Sequence, residues 1–207
     1  MTKRYGAVRA LMGVSARFDS GRITVVRGPN GSGKSTLLGI VGTLVRPTTG
    51  EVDHGALGGT RAEVRRALGW VGHESLCYPD LTGRRNIELA ARLHGLDQKS
   101  AFARAAERFD LAAFADRPLR TYSRGQRQRI ALARGLVHQP ALLLLDEPAT
   151  GLDVASTDRL RHVVKEEAAR GAIVVIVTHE DRLTEGLDVR VLSLERGRRL
   201  QGDGPAP

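Results

Sequence analysis

The sequence predicts an α/β fold with parallel strands and a helical segment inserted into it. Residues 22 to 27, Arg-Ile-Thr-Val-Val-Arg, form a β-branched run that ends in a glycine-rich loop, and residues 36 to 41 then read as a helix. Two further apolar runs, Leu142 to Leu145 and Ile173 to Val177, read as strands buried on both faces, with a helix of about 155 to 169 between them. The middle third differs, carrying helical spacing instead: Ile87, Leu89 and Leu93 within residues 84 to 94, and Phe102, Ala106 and Phe109 within 99 to 113. Strand and helix in alternation on either side of a helical stretch favour a parallel sheet that the insert interrupts.

In order along the chain, this gives a core of about residues 1 to 74 and 138 to 201 and a helical insert of about 75 to 137. Gly202 to Pro207 reads as a loose tail, and no internal repeat or low-complexity tract is visible. The 207 residues, 41% of them hydrophobic, match one globular domain that can bury a core. The longest apolar runs, 141 to 145 and 172 to 177, fall far short of the roughly 18 residues that cross a bilayer, so a membrane-spanning helix is not expected. Met1 to Gly6 offers neither an apolar stretch nor a cleavage site, and the single Cys77 has no partner for an internal disulfide; both fit a reducing cytoplasm.

A net charge of +9 raises the question of nucleic acid. Lysine occurs only at Lys3, Lys34, Lys99 and Lys165, which leaves 28 arginines scattered among acidic residues. Aromatics make up 4% of the chain and do not alternate with the arginines as a base-stacking platform requires. No nucleic-acid partner is expected. The arginines read as a solvated surface or as one lying close to a membrane or to phosphates.

The chemistry is concentrated in a few segments. Gly28, Pro29, Asn30, Gly31, Ser32, Gly33, Lys34 and Ser35, followed by Thr36, match a phosphate-binding loop, in which glycines let successive backbone N–H groups point at a phosphate chain. Lys34 would neutralise the β and γ phosphates, Ser35 would hold Mg²⁺, and the following helix presents its positive end to the same anion. Leu142 to Leu145 then deliver Asp146 and Glu147 to the rim of the sheet. Asp146 would support Mg²⁺ through water, and Glu147 is placed to polarise an attacking water. Tyr122-Ser123-Arg124-Gly125-Gln126 opens a helix carrying Ile130, Ala133 and Leu136. Ser123 and Gln126 form a capping box there, and the same capped terminus is an anion site that could receive a γ-phosphate.

These residues bring a family into view. Across essentially its full length the chain resembles the nucleotide-binding subunits of ATP-binding cassette transporters. Gly28 to Thr36 resembles the Walker A loop, Leu142 to Glu147 the Walker B strand with its catalytic glutamate, and Tyr122 to Gln126 the signature Leu-Ser-Gly-Gly-Gln. Thr150 to Asp153 resembles the D-loop, Val177 to His179 the switch histidine, and Tyr5 the aromatic residue that stacks on adenine, with a packed aromatic as its other reading. There are departures. Arg124 stands where the family usually has glycine and Tyr122 where it usually has leucine. In the loop Leu68 to Glu74, His73 stands at the Q-loop glutamine. Either His73 bonds water or phosphate, or Glu74 supplies the oxygen, or both only shape a partner contact.

The resemblance implies a P-loop NTPase core with an N-terminal antiparallel β part and a helical subdomain, with ATP and Mg²⁺ bound. It also implies a head-to-tail homodimer in which each ATP lies between Walker A of one copy and the signature of the other. The subunit would sit peripherally on the cytoplasmic face of the cell membrane and drive a separate integral membrane subunit through the groove beside residues 73 to 95. The early end after His179, the Trp70 to His73 loop, and the Leu81-Thr82 and Arg85-Asn86-Ile87 segments look most like the ATPase of the haem exporter of cytochrome c maturation. A generic multidrug or ion efflux ATPase is the alternative, and a soluble cassette ATPase acting on nucleic acid is a third reading from a different class.

Overall fold

The computed structural model describes residues 1–72 and 75–200. In chain order the elements are β1 (Lys3–Tyr5), β2 (Val8–Leu11), β3 (Ile23–Arg27), α1 (Lys34–Val41), α2 (Arg61–Arg66), β4 (Leu68–Val71), α3 (Gly83–Leu93) and α4 (Gln98–Phe109). After these come α5 (Arg124–Leu136), β5 (Leu142–Asp146), α6 (Val154–Ala169), β6 (Ile173–Val177), α7 (Asp181–Thr184), β7 (Val189–Glu195) and β8 (Arg198–Arg199). Among the described residues β1 and β2 form an antiparallel pair, and the other strands form one sheet in the order β4-β5-β6-β3-β7-β8. Pairing is parallel from β4 to β7, and only β8 runs antiparallel, along β7.

The unbroken leucine run of β5 follows from its place inside the sheet. Leu142 and Leu144 face a core shared with Leu37 and Leu38 of α1, while Leu143 and Leu145 face a second core shared with Ile130 of α5 and Leu160 of α6. A parallel strand covered by helices on both sides has no polar face to keep. The α/β class with an antiparallel N-terminal part is therefore the architecture observed.

Two elements differ from the sequence expectation, and a third is a strand the sequence did not suggest. Leu68 to Val71, read as part of a loop, is the edge strand β4, with Leu68 to Val71 opposite Leu142 to Leu145. Gly69 permits this, because a Cβ there would stand 2.6 Å from both the Gly135 carbonyl oxygen and the Pro140 ring. Strand β7, for which no expectation was set, pairs with the whole of β3. The helix expected over 99 to 113 stops at Phe109, where Asp110 turns left-handed at φ 53° and Leu111 N–H donates back to the Ala106 carbonyl at 2.9 Å. The expected tail, 202 to 207, lies outside the described residues.

Helices α3, α4 and α5 pack on one another, and α4 also meets α6. At that junction Glu167, 2% exposed, accepts from Arg108 of α4 at 2.7 Å and from Arg170 at 2.5 Å. Two guanidiniums thus pair with this buried carboxylate, so removing either would leave it short of a partner. Nearby, the rings of His94 and His138 stack with centroids 3.7 Å apart and planes 11° from parallel.

Candidate functional site

The glycine-rich loop joins β3 to α1 and is shaped by close approaches that only glycine tolerates. Gly28 lies at φ 147°, where a Cβ would overlap the Leu194 carbonyl oxygen of β7 and stand 2.7 Å from Ser32 Oγ. Gly33, at φ 101°, precedes α1, and a Cβ there would overlap the Ala10 carbonyl oxygen of β2. No side chain caps α1, so its first N–H groups stay open. Lys34 is buried, and its Nζ donates to the carbonyls of Gly28 at 2.7 Å and Pro29 at 3.1 Å. Its ammonium is thereby held over the loop.

A cleft of about 410 Å³ opens above α1. Tyr5, Val8 and Ala10 line one side of it, Asn30, Gly31, Gly33, Lys34, Ser35 and Thr36 the floor, and Asp146, Glu147 and Val177 the far end. The parallel pairing of β5 with β6 sets that far end, since Asp146 lies opposite Val177. Glu147 follows at φ 51°, a left-handed conformation uncommon for a residue with a side chain, and its N–H donates to the Val177 carbonyl at 2.8 Å. Its carboxylate is met by His179, whose backbone N–H donates to Oε2 at 3.3 Å and whose Nε2 stands 3.4 Å from Oε1. Thr178 fixes this turn by accepting the Glu180 N–H at 3.0 Å.

The donor set fits Mg²⁺. Ser35 offers a hydroxyl and Asp146 a carboxylate, a small all-oxygen set of the kind that ion accepts when phosphates and water supply the rest. Among the described residues no group of three or more His, Cys, Asp and Glu side chains is disposed to hold a metal by itself.

Not all the expected site residues meet here. Ser123 caps α5, its Oγ accepting from the Gln126 N–H at 3.2 Å while Gln126 Oε1 accepts from the Ser123 N–H at 3.1 Å. Asp153 caps α6, and the Ser156 N–H, at 2.7 Å, holds its carboxyl below the usual range. Ser123, Arg124, Gly125, Gln126 and Asp153 are absent from the cleft lining, though Gly125 packs on the turn before Asp153, with Gly151. His73 lies outside the described residues, as does Glu74. Val8 and Ala10 were missed by sequence reasoning, although the strand that carries them lies just past Tyr5. Tyr122 owes its place to its hydroxyl, which donates to the Phe114 carbonyl at 2.6 Å and accepts from Gly83 N–H at 3.2 Å. Leucine would leave both unpaired.

A strand, a glycine loop and a helix beside a second strand ending in two carboxylates define a nucleoside-triphosphate site of the phosphate-loop class. The ABC transporter family model matches residues 11–150, and the chain belongs to that family as an ATP-binding domain. The chain is 38% identical over 95% of its length to the daunorubicin resistance ATP-binding protein DrrA3 of Streptomyces coeruleorubidus, and spans 64% of that protein. It is 37% identical to the cytochrome c biogenesis ATP-binding export protein CcmA 2 of Cupriavidus metallidurans, with 88% of each covered. The arginine transport ATP-binding protein ArtP of Escherichia coli K12 is 35% identical over 96% of this chain and 88% of its own. Among solved structures, a bacterial ABC transporter cassette seen as a dimer superposes with a TM-score of 0.84 at 29% identity, covering 97% of this chain and 94% of the other. A dimeric post-hydrolysis cassette bound to ADP and Pi superposes at 0.85, also at 29% identity, over 98% and 94%. Among the described residues no helix is long and apolar enough to cross a membrane.

Proposed function

We propose that this chain is the ATP-hydrolysing subunit of an ABC transporter, acting peripherally at the cytoplasmic face of the membrane on a separate integral membrane subunit. The observation that carries this is the meeting of Lys34, Ser35, Asp146 and Glu147 in one cleft with Tyr5 at its edge. The adenine of ATP stacks on Tyr5, the open N–H groups at the start of α1 take the phosphates, and Lys34 exchanges its carbonyl partners for β and γ oxygens. Ser35 would hold Mg²⁺ with its hydroxyl and Asp146 would support it through water, and the ion when bound would supply Lewis-acid neutralisation of the phosphates. Glu147 takes a proton from the attacking water, and His179 orients the carboxylate for it.

The site is completed in trans. Ser123, Arg124, Gly125 and Gln126, together with Asp153, face the ATP of a second copy, a reading supported by their absence from the cleft and by the dimeric state of the two solved relatives. Closing on two ATPs and opening after hydrolysis is the working stroke, with the helical segment 75–137 moving on the core 1–74 and 138–201. For cargo we assign haem export in cytochrome c maturation, supported by mutual 88% coverage with CcmA 2. Drug efflux is the second reading, favoured by the 38% identity to DrrA3.

The test is Glu147→Gln, which should keep ATP affinity, lower turnover by about two or more orders of magnitude, and trap an ATP-dependent dimer in sedimentation. Adding Ser123→Arg should abolish that dimer while monomer ATP binding persists. Near wild-type turnover in the first variant overturns the role of Glu147, and an undiminished dimer in the second overturns the trans site.

A further inference from the structure

Helix α5 touches the catalytic turn with a side chain that the reading above leaves without a role. Gln128 is half-buried, and its Nε2 donates to the Pro148 carbonyl at 2.8 Å, one residue past Glu147. On the same helix face, one turn earlier, Gly125 lies so close to the turn that a Cβ would stand 2.7 Å from the Gly151 carbonyl oxygen. The α5 face that carries Gly125 and Gln128 is thus seated along residues 148 to 151.

That turn is bonded to itself. Thr150 N–H donates to the Glu147 carbonyl at 3.2 Å, Leu152 N–H donates to the Ala149 carbonyl at 3.0 Å, and Ala149 is buried. At its start Glu147 is held at φ 51°, a conformation that persists only where its surroundings impose it. The sheet imposes one side of it, through the Val177 carbonyl. On the other side Gln128 holds the Pro148 carbonyl.

We infer that Gln128 is a positioning residue for Glu147, tying the helix that begins at Ser123 to the turn that aims the carboxylate. A phosphate engaged at Ser123 by one copy is therefore felt at that copy's own Glu147, which serves its own cleft, and the two clefts of the dimer are coupled through each chain's α5. This rests on the proposed roles of Glu147 and Ser123.

The test compares wild type with Gln128→Met, which keeps the side-chain volume and removes the donor, and with Gln128→Ala, by steady-state ATPase titration. One hydrogen bond's worth of misplacement lowers kcat about 3- to 10-fold, with KM for ATP within about twofold of wild type. The Hill coefficient should fall towards 1, and in a Glu147→Gln background ATP should still dimerise both variants. Thermal unfolding of the variants checks the fold. Wild-type kcat and Hill coefficient in a variant with lowered Tm would reduce Gln128 to a structural tie and overturn the inference. Lost dimerisation in the Glu147→Gln background would place its effect on closure and overturn it as well. Should Glu147→Gln itself turn over normally, the failure lies in the base assignment, and that control is read first.

Discussion

Gly28→Ala tests whether the loop is built by close approach or merely by flexibility. At Gly28 the backbone sits at φ 147°, and an added methyl would overlap the Leu194 carbonyl oxygen, stand 3.1 Å from that carbonyl's carbon and 2.7 Å from Ser32 Oγ. None of these is the free end of a flexible chain. The carbonyl belongs to β7, which is paired along the whole of β3, and Ser32 is 2% exposed. Relief therefore requires lifting the loop off the sheet, at a cost of about 3 kcal/mol from overpacking and backbone strain together. Gly31 is the internal control, since its φ is 77° but no atom lies within 4 Å of its Cβ position. Gly31→Ala carries only the left-handed penalty of about 1 kcal/mol. The difference of about 2 kcal/mol corresponds to roughly 4–8 °C in Tm for a chain of this size. Because the Gly28 carbonyl accepts from Lys34 Nζ at 2.7 Å, lifting the loop also displaces the ammonium, and ATP affinity should fall about tenfold or more. Calorimetric melting and titration with a fluorescent ATP analogue read the two effects. Equal melting temperatures for Gly28→Ala and Gly31→Ala would refute the argument.

The stacked histidine pair predicts an acid-sensitive junction. Burial, then the neighbouring His94 ring, pushes His138 down from 6.5 to about 4, against smaller upward pulls from the Leu68 carbonyl at 3.2 Å and from Glu167, with Arg170 adding to the depression. Between those values the unfolded chain binds a proton that the folded chain refuses, so stability is lost as pH falls from 6.5 towards 4. About 1 kcal/mol should go between pH 7 and 5, discounted because the ring edge reaches solvent. His138→Phe should lose that much less in urea unfolding at the two pH values, and equal losses would sink the idea. For cargo, a Lys34→Ala strain should lack haem-stained c-type cytochromes while apocytochromes are still made; normal cytochromes there would move the cargo to efflux.

Much of this was legible because the decisive signals are local. The glycine loop, the leucine run of β5 and the Ser123–Gln126 box each lie within a few consecutive residues, and each specifies its own geometry. What was not legible depends on partners far along the chain. Leu68 to Val71 contains a glycine and a half-buried tryptophan, and it becomes a strand because β5 offers it a paired edge. Val189 to Glu195 mixes Arg190 and Ser193 with its apolar residues and gains its place from β3. The contact of Gln128 with Pro148 spans 20 residues, and no spacing rule reaches that far. Tyr122 reads as a departure until Phe114 and Gly83 are seen at its hydroxyl.

A satisfied helix cap and a phosphate site are compatible at Ser123, and an accounting of lone pairs and protons shows why. Ser123 Oγ accepts the Gln126 N–H, but a hydroxyl that accepts still has its own proton to give. Gln126 spends its Oε1 on the Ser123 N–H at 3.1 Å and on Arg117 at 3.3 Å, which leaves both amide protons of its Nε2 available. Arg124 could block the approach, yet its side chain lies along the neighbouring turn, where a Cβ on Gly151 would stand 2.8 Å from its Cγ and Cδ. The aliphatic stem is turned towards the turn at Gly151, so on the trans-site proposal the guanidinium adds positive charge beside the phosphate without filling its place. On the trans-site proposal, a γ-phosphate brought by a second copy would therefore meet the Ser123 hydroxyl proton, the two amide protons of Gln126 and those first-turn N–H groups of α5 that the capping box leaves over.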